Sequence, residues 1–506
     1  MVQGTASSVG KSLLVTALCS LFHHRGLRVA PFKAQNMALN SAVTPEGREI
    51  GRAQAVQAEA AGLEPAVEMN PILLKPEGNL RSQVVMLGKP IATMTFTEYR
   101  GLKPELERVV SSSLDKLRRA YDLVIIEGAG SPAEINIDFD VVNMFVARLS
   151  GAPVILAADI DRGGVFAQIV GTMELLAAED RARVAAFLIN KFRGDQALLT
   201  PGLEFLQTRF GRPVLGVVPY LAGLNIADED SLGLEDRRAQ APKHGADVTI
   251  AVVRLPHISN YDDFLPLEHE PDVALRFAES AAELDGADLV VLPGTKSTVA
   301  DLDWLKQTGM AAAIARRASE GRRVLGVCGG CQMLGRSIED PAGVESAVAR
   351  APGLGLLPIT TRFAPTKVTA RVLARVATPS FLTGDLGGET LLDGYEIHMG
   401  SVLPGGAFAA PFSIISRNGA AVELADGAIG AAGTIVGTML HGLFENPPLR
   451  AAFLNALCAG RATVRRPGAP ASASRADEYR RLAELVGTHL NLDALGRIAG
   501  FEGIFA

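Results

Sequence analysis

Short apolar runs alternate with amphipathic stretches through residues 1–228. The runs LRVAPF, YDLVIIEGAG, APVILAADI, VAAFLINKF and PVLGVVPY are almost continuous in hydrophobic side chains. A strand with one solvent-exposed face alternates apolar and polar residues. Continuous apolar runs are therefore typical of strands that are buried on both faces. The pattern therefore predicts an α/β domain whose parallel sheet is covered by helices on both sides.

A second series of the same kind begins at residue 248 with VTIAVVRL and continues with ADLVVLPG and RRVLGVCGG. It resumes at GTIVGTMLHGLF after a more β-rich stretch. Residues 229–246 are polar and rich in turn-forming residues, which indicates a linker. Residues 461–506 begin as a connector rich in Pro, Ala, Ser and Arg and continue into a helix predicted around 478–490. We thus expect one domain over residues 1–228 and another over 247–460.

Composition narrows the class of protein. The chain has 506 residues, 48% of them hydrophobic, which is enough for more than one core. Its net charge of −6 argues against a nucleic-acid or membrane-surface partner. The four cysteines are too few for a disulfide framework, and no signal peptide or membrane-spanning run is found. We expect a cytoplasmic protein, with a homo-oligomer left as an open possibility.

The segment GTASSVGKS, residues 4–12, is a candidate phosphate-binding loop. It departs from GxxxxGK[ST] by one residue, since five positions separate Gly4 from Gly10. Small residues let backbone N–H groups curl around phosphate, Lys11 can reach the terminal phosphates, and Ser12 can ligate Mg²⁺. The alternative is a small-residue turn before a helix. The residues expected to contact the nucleotide are Gly4, Thr5, Gly10, Lys11 and Ser12.

Polar side chains follow the other predicted strands of this domain, where ligands gather in open α/β sheets. Glu127 comes directly after YDLVII and suits a carboxylate facing Mg²⁺. Asp159 and Asp161 follow the next strand and are weaker candidates. Asn190 and Lys191 end another strand, where the amide could contact the nucleotide base or could equally cap a helix.

The segment GVCGG, residues 326–330, fits a nucleophile elbow between the strand RRVLGV and the helix QMLGRSI. The turn would expose Cys328 at a helix N-terminus, whose positive end favours a thiolate. A buried structural cysteine is the alternative. Cys331 completes a CxxC motif, but half a tetrahedral site is a weak indication of zinc.

A cysteine nucleophile needs a base. His441 in GTMLHGLFEN follows a predicted strand and is the first candidate, and His398 in GYEIHMG is its rival. Backbone N–H groups of Gly329 and of Gly294, in the PGTKST turn, would form the oxyanion hole, although that turn could also be a plain loop. A thiolate site and a phosphate loop in one chain indicate an amidotransferase, which frees ammonia at one site and uses it at another.

Further stretches spread over nearly the whole chain carry a resemblance. They are PFKAQNMALNS, IGRAQAVQAEAAG, MNPILLKP, EGAGSPAEIN, DIDRGG, NKFRGD, LPGTKST and GYEIHMG. With the Cys328 and His441 segments, they resemble the cobyric acid synthase family, the glutamine-dependent amidases of cobalamin biosynthesis. Composition and spacing alone indicate only an amidotransferase that uses a nucleotide.

The resemblance implies a P-loop NTPase-type parallel sheet similar to dethiobiotin synthetase, followed by a class I, triad-type glutamine amidotransferase domain of flavodoxin-like fold. It implies ATP and Mg²⁺ as cofactors and glutamine as nitrogen donor. The implied acceptor is the corrinoid adenosylcobyrinic acid a,c-diamide, amidated at its b, d, e and g carboxylates. The matching nucleophile and base are Cys328 and His441. The family's most characteristic stretch further implies Lys33 as an ATP contact and, as substrate contacts, Gln35, Asn36 and Asn40.

Three positions depart from the family or its relatives. Ser8 and Val9 stand where the family's loop usually carries an Asp, and Cys331 stands where an aromatic residue is common. Leu443 stands where ordinary class I glutaminases place the Glu that orients the histidine. The third triad member is therefore either absent or supplied from elsewhere in the chain.

Two alternative functions remain at this stage. The first is a related amidotransferase acting on the a and c carboxylates or on a cell-wall precursor, against which the QNMALNS stretch argues. The second is a non-catalytic nucleotide switch such as a partitioning-type ATPase with a decayed glutaminase domain. That group carries an early second lysine in its loop, where this chain has Thr5 and Ala6.

Overall fold

A computed structural model describes residues 1–77, 80–134, 139–221, 223–224, 226, 243, 245–430, 433–459 and 474–506. Most of the linker expected at 229–246 lies outside the described residues, as does the connector over 461–473. No helix in the described part of the chain is long and apolar enough to cross a bilayer.

The first domain contains twelve strands and eight α-helices among the residues described. The strands are β1 (Val2–Gly4), β2 (Val29–Phe32), β3 (Gln35–Met37), β4 (Ser41–Val43), β5 (Glu49–Gly51), β6 (Ile72–Glu77), β7 (Arg81–Met86), β8 (Lys89–Thr95), β9 (Leu123–Ile126), β10 (Val154–Asp159), β11 (Val184–Phe192) and β12 (Val214–Pro219). The helices are α1 (Lys11–His23), α2 (Arg52–Ala60), α3 (Phe96–Arg100), α4 (Lys103–Ala120), α5 (Met144–Ser150), α6 (Val165–Leu175), α7 (Ala178–Arg181) and α8 (Thr200–Phe210).

The main sheet of this domain is parallel, as the apolar runs predict. Strands β1-β10-β11-β12 are neighbours in that order, and a parallel bridge between Val2 and Glu127 joins them to the pair β9-β2. Successive residues of β10 pack on opposite faces, with Ile155 in the core under α1 and Leu156 in the core under α6. Both faces are therefore covered, which explains the unbroken apolar runs.

A smaller mixed sheet lies between β2 and β9 in the chain. Its order is β3-β6-β7-β8, with β3 parallel to β6 and the remaining neighbours antiparallel. A short hairpin, β4-β5, lies beside it. The sequence pattern did not predict this sheet, because β3, β4 and β5 have only three residues each and show no usable periodicity.

The second domain is again built on parallel strands. Its strands are β13 (Val248–Val253), β14 (Val273–Ala278), β15 (Leu289–Leu292), β16 (Arg323–Val327), β17 (Ser337–Glu339), β18 (Arg350–Pro352), β19 (Ile359–Val376), β20 (Leu391–Pro404), β21 (Phe412–Arg417), β22 (Ala420–Asp426), β23 (Ala428–Ile429) and β24 (Ile435–Thr438). Its helices are α9 (Leu265–Glu268), α10 (Thr298–Gln307), α11 (Met310–Ser319), α12 (Gly329–Leu334) and α13 (Pro447–Cys458).

Strands β14-β13-β15-β16-β24 are parallel neighbours, and β23 pairs antiparallel with β24 at the edge. The carboxyl ends of β15, β16 and β24 therefore meet at one edge of the sheet. The β-rich stretch forms a second sheet around the long antiparallel pair β19-β20. This second sheet brings β20 close to the end of β24, where Tyr395 forms a bridge with His441.

The C-terminal segment returns to the first domain. It forms two helices, α14 (Arg475–Gly487) and α15 (Leu492–Ala499), where one helix was expected around 478–490. Leu482 and Val486 are buried in the same core as Leu14 and Leu18 of α1. The Asn491 N–H also donates to the Leu215 carbonyl at 2.7 Å. The core of the first domain is thus completed by the end of the chain.

Candidate active sites

Cys328 lies in a sharp turn between β16 and α12. Its φ of 51° and ψ of −109° put a non-glycine residue in a strained conformation. The turn is crowded, since a Cβ added at Gly330 would lie 1.9 Å from the Leu292 carbonyl oxygen. One added at Gly329 would lie 3.0 Å from the Thr295 nitrogen. The glycines that flank the cysteine are therefore required by close backbone contacts.

His441 follows β24, and its side chain lines the same cavity as Cys328. Its Nδ1 is 2.6 Å from Oδ2 of Asp263, and the His441 side chain is only 2% exposed. Burial acts to lower the histidine pKa, but the negative charges of Asp263 and Cys328 outweigh it and raise the pKa to about 10. The ring is therefore held protonated beside the Asp263 carboxylate.

Asp263 is the residue that sequence reasoning missed. It lies in the one-turn 3₁₀-helix Tyr261–Phe264, and its Oδ1 also accepts the Gly442 N–H at 2.8 Å. Leu443, at the position where ordinary class I glutaminases carry Glu, is packed in the apolar core. The acidic pair in SNYDDF was the available signal. The third member is thus supplied from elsewhere, 178 residues before the histidine.

Gly294 and Gly329, the expected oxyanion-hole residues, both border the site. Gly329 packs on Thr295, and a Cβ at Gly294 would lie 3.2 Å from Cε1 of His441. His398 lines the same cavity, but its nitrogens face Gly400 and Glu396.

Cys331, the second cysteine of the CxxC motif, is fully buried. Burial raises its thiol pKa well above the usual value, so it is held as a neutral thiol. The described residues contain no cluster of three or more His, Cys, Asp or Glu side chains suited to a metal ion. Cys331 is thus a buried, neutral thiol in this site.

The cavity beside the nucleophile is lined by both domains. Lys75 and Gln83 come from the first domain, whereas Gln332 and Glu345 come from the second. Burial raises the pKa of Glu345 to about 7, although the Val299 N–H and the Thr298 hydroxyl donate to its carboxyl group. A small polar substrate in this cavity would meet hydrogen-bonding groups beside Cys328.

The phosphate loop contains two residues in the left-handed region of backbone conformation. Ser8 and Gly10 both have positive φ, of 58° and 93°. Lys11 Nζ donates back to the carbonyls of Ala6 at 3.0 Å and Gly130 at 3.1 Å. This conformation holds the ammonium group across the loop, where a phosphate chain would lie.

Asn190 and Lys191 contact the backbone of this loop. The Asn190 amide donates to the Val9 carbonyl at 2.8 Å, and Lys191 Nζ donates to the Ser8 carbonyl at 2.7 Å. Lys191 is also paired with Asp159 at 3.0 Å. Both side chains therefore support the loop in this structure.

Glu127 is completely buried at the base of the loop. Its Oε1 accepts from Ser12 Oγ at 2.9 Å and from Lys33 Nζ at 2.8 Å, and its Oε2 accepts from the Gln57 amide at 2.5 Å. The Gln57 carbonyl oxygen is buried and has no hydrogen-bond partner among the described residues. A hydroxyl, a carboxylate and an unsatisfied amide oxygen in one place suit Mg²⁺, a cation that prefers oxygen ligands and keeps several waters.

The other predicted nucleotide and substrate contacts form hydrogen bonds within the protein. Gln35 accepts from Tyr99, and Asn36 donates to Gln54 at 3.1 Å. Asn40 accepts the Asn260 N–H at 2.8 Å and so lies at the boundary with the second domain. The remaining contacts are Thr5 with Gln168 at 3.0 Å and Asp161 with Arg193 at 2.8 Å.

Comparison with known proteins finds matches for both domains of the chain. Residues 249–449 match the family described as the CobB/CobQ-like glutamine amidotransferase domain, and residues 1–234 match the CobQ/CobB/MinD/ParA nucleotide binding domain. A cobyric acid synthase of Sorangium cellulosum is 59% identical, over 99% of this chain and 98% of that protein. The chain belongs to the cobyric acid synthase family.

Other cobyric acid synthases are also similar over their whole length. Those of Pelotomaculum thermopropionicum and Moorella thermoacetica are 48% and 49% identical, over 99% of this chain and 97% of each protein. The chain is accordingly a glutamine-dependent amidating ligase of cobalamin biosynthesis. The expected fold class is confirmed, with a nucleotide-binding domain first and a glutamine amidotransferase domain after it. A non-catalytic nucleotide switch is excluded by this membership.

Proposed function

We propose that this ligase amidates the b, d, e and g carboxylates of adenosylcobyrinic acid a,c-diamide, using glutamine and ATP in each of four steps. The observation that carries the proposal is the Cys328–His441–Asp263 arrangement in a chain whose other domain buries Glu127 under a phosphate loop. The full-length identity to cobyric acid synthases supports the choice of corrinoid. Amidation of the a and c carboxylates is the runner-up.

In the glutaminase step, the Cys328 thiolate attacks the side-chain carbonyl carbon of glutamine. His441, which is protonated in this setting, donates its proton to the departing nitrogen, and ammonia leaves with a thioester in place. His441 then takes a proton from water as that water attacks the thioester. The products are glutamate, a proton released to solvent and the restored Cys328 thiolate beside protonated His441. Asp263 holds the ring in one orientation throughout, and the backbone N–H groups of Gly294 and Gly329 would donate to the carbonyl oxygen of the substrate.

In the synthetase step, the terminal phosphoryl group of ATP passes to a substrate carboxylate and gives an acyl phosphate and ADP. Ammonia attacks the acyl carbon and phosphate leaves. Lys11 would offset the charge of the phosphates, and Lys33 holds Glu127 in place. When bound, Mg²⁺ would be held by Ser12 and Glu127 and would draw negative charge from the phosphate oxygens.

We also propose the wider organisation expected from the sequence. The synthetase domain covers residues 1–228 and the glutaminase domain 247–460, with residues 461–506 as connector and C-terminal segment. We place the enzyme in the cytoplasm, since the cysteines that the structure describes are all free thiols.

To test this proposal, the purified enzyme is incubated with adenosylcobyrinic acid a,c-diamide, and the corrinoid products are analysed by mass spectrometry. Wild-type protein with ATP, Mg²⁺ and glutamine should give four successive mass steps of one amidation each. Cys328→Ser should abolish product with glutamine but keep it with an ammonium salt. Cys331→Ser, in the helix that follows Cys328, is the matched control and should keep both activities. Absence of product from the diamide, or loss of both activities in Cys328→Ser, would contradict the proposal.

A further inference from the structure

Arg52 of the first domain lies against the glutaminase site of the second. It begins helix α2 and is buried at the boundary between the domains. Its Nη2 donates to the Tyr395 hydroxyl at 2.6 Å, and its Nε is 2.7 Å from Oδ2 of Asp262. The guanidinium therefore holds two residues of the other domain, one on each side of the triad.

Tyr395 in turn holds the catalytic histidine. The Tyr395 ring stacks on the His441 ring, with centroids 5.2 Å apart and planes 15° from parallel. The two residues also exchange backbone hydrogen bonds, of 3.1 Å from Tyr395 N and 2.9 Å from His441 N. Because the imidazole is fixed through both its ring and its backbone, a shift of Tyr395 moves His441.

Asp262 and Asp263 share a one-turn helix whose start is also held from the first domain. Asn260, which precedes that turn, has a positive φ of 51°. Its backbone N–H donates to Asn40 Oδ1 at 2.8 Å, and its side chain accepts the Ser41 N–H at 3.1 Å. The turn that carries the triad carboxylate is thus pinned at Asn260 by Asn40 and Ser41 and at Asp262 by Arg52.

We propose that Arg52 is a positioning residue for the glutaminase triad, acting through Tyr395 and the turn 260–263. The first domain then completes the active-site geometry of the second. Arg52 is not among the residues that line the cavity of Cys328. Its partners instead hold the His441 ring and the turn that carries the Asp263 carboxylate. This inference rests on the proposed roles of Cys328, His441 and Asp263.

The experiment compares glutamine hydrolysis with ammonium-driven amidation in full-length Arg52→Gln and Tyr395→Phe proteins. Arg52→Gln keeps some hydrogen-bonding capacity but loses the positive charge and the simultaneous contacts with Tyr395 and Asp262. Tyr395→Phe keeps the stacked ring and loses only the hydroxyl that Arg52 and Asn260 contact. We expect kcat for glutamine hydrolysis to fall about ten- to a hundredfold in Arg52→Gln, as for a small misplacement of reacting groups. The KM for glutamine and the ammonium-driven rate should stay within about twofold.

A double-mutant comparison separates positioning from a general structural role. If Arg52 acts through the Tyr395 hydroxyl, the double variant should be little slower than Arg52→Gln alone, because the two losses share one contact. Arg52→Lys keeps a positive charge opposite Asp262 but cannot contact Tyr395 and Asp262 at the same time. Its kcat should therefore lie between those of wild type and Arg52→Gln.

Three results would overturn the inference. These are an unchanged kcat in both single variants, a parallel fall in ammonium-driven amidation, and a change confined to KM. If Arg52→Gln does not fold, Tyr395→Phe alone still decides, since its ring packing is unaltered. Failure of the proposed function is recognised separately, because glutaminase activity would then survive in Cys328→Ser.

Discussion

Replacing Asp263 by asparagine should disable glutamine hydrolysis while sparing the ATP-dependent step. The substitution keeps the size of the side chain and can keep the bond from the Gly442 N–H to Oδ1. It puts an amide NH₂ or a neutral oxygen 2.6 Å from His441 Nδ1 in place of a carboxylate oxygen. The imidazolium therefore loses its buried counter-charge, and an amide donor there would favour the wrong tautomer.

The size of the effect follows from this one contact. A hydrogen bond to a charged group contributes about 1.5–3 kcal/mol. At about 1.4 kcal/mol for each tenfold change in rate, kcat for glutamine should fall about ten- to two-hundredfold. Because Asp263 is the leading cause that raises the His441 pKa to about 10, that pKa should also fall in the variant. The stability that the protonated ring contributes is fully present below its unfolded pKa and is lost as pH rises through the folded one.

The assay is glutamate release against pH, run beside ammonium-driven amidation of the diamide. The alkaline limb of the kcat profile should move to lower pH in Asp263→Asn, and ammonium-driven amidation should stay within about twofold. Asp303→Asn, an exposed carboxylate in the same domain, is the control and should behave as wild type. An unchanged kcat with an unchanged alkaline limb would refute the assignment of Asp263 to the triad.

Three further predictions use other parts of the molecule. Glu127→Gln should lower amidation at least about a hundredfold with either nitrogen source while glutamate release persists, since it removes the carboxylate beside Ser12; equal loss of glutamate release would contradict this. Glu345→Gln should raise the KM for glutamine about tenfold with kcat kept, as expected if the carboxylate binds the α-amino group; steady-state kinetics decide. Gly330→Ala should lower the free energy of unfolding of the second domain by about 3 kcal/mol in denaturant titrations, because the added Cβ would lie 1.9 Å from a carbonyl oxygen. Gly387→Ala is the control and should not lower it, because no atom outside the neighbouring residues lies within 4 Å of the added Cβ.

The parts of the fold that could be predicted are those set by local pattern. Continuous apolar runs predicted the parallel strands. The glycines around Cys328 predicted the sharp turn, where close backbone contacts leave no room for a side chain. Asp263 could not be found in the same way, because its partner lies 178 residues away and its turn has no periodicity. The position of Asn40 at the domain boundary is equally non-local, since only the packing of two domains creates it. The roles of the individual site residues stay predictions until the variants are measured.

The C-terminal helices have a consequence for biogenesis. Phe505 packs its ring 5.1 Å from Phe22, and Leu482 is fully buried beside α1, so the nucleotide-binding domain is assembled from both ends of the polypeptide. On the ribosome, the glutaminase domain can close while its neighbour still exposes the apolar face of α1 to water. Chaperones bind exposed apolar surfaces of this kind. In a chain cut before Arg475, the apolar face of α1 would stay exposed to water.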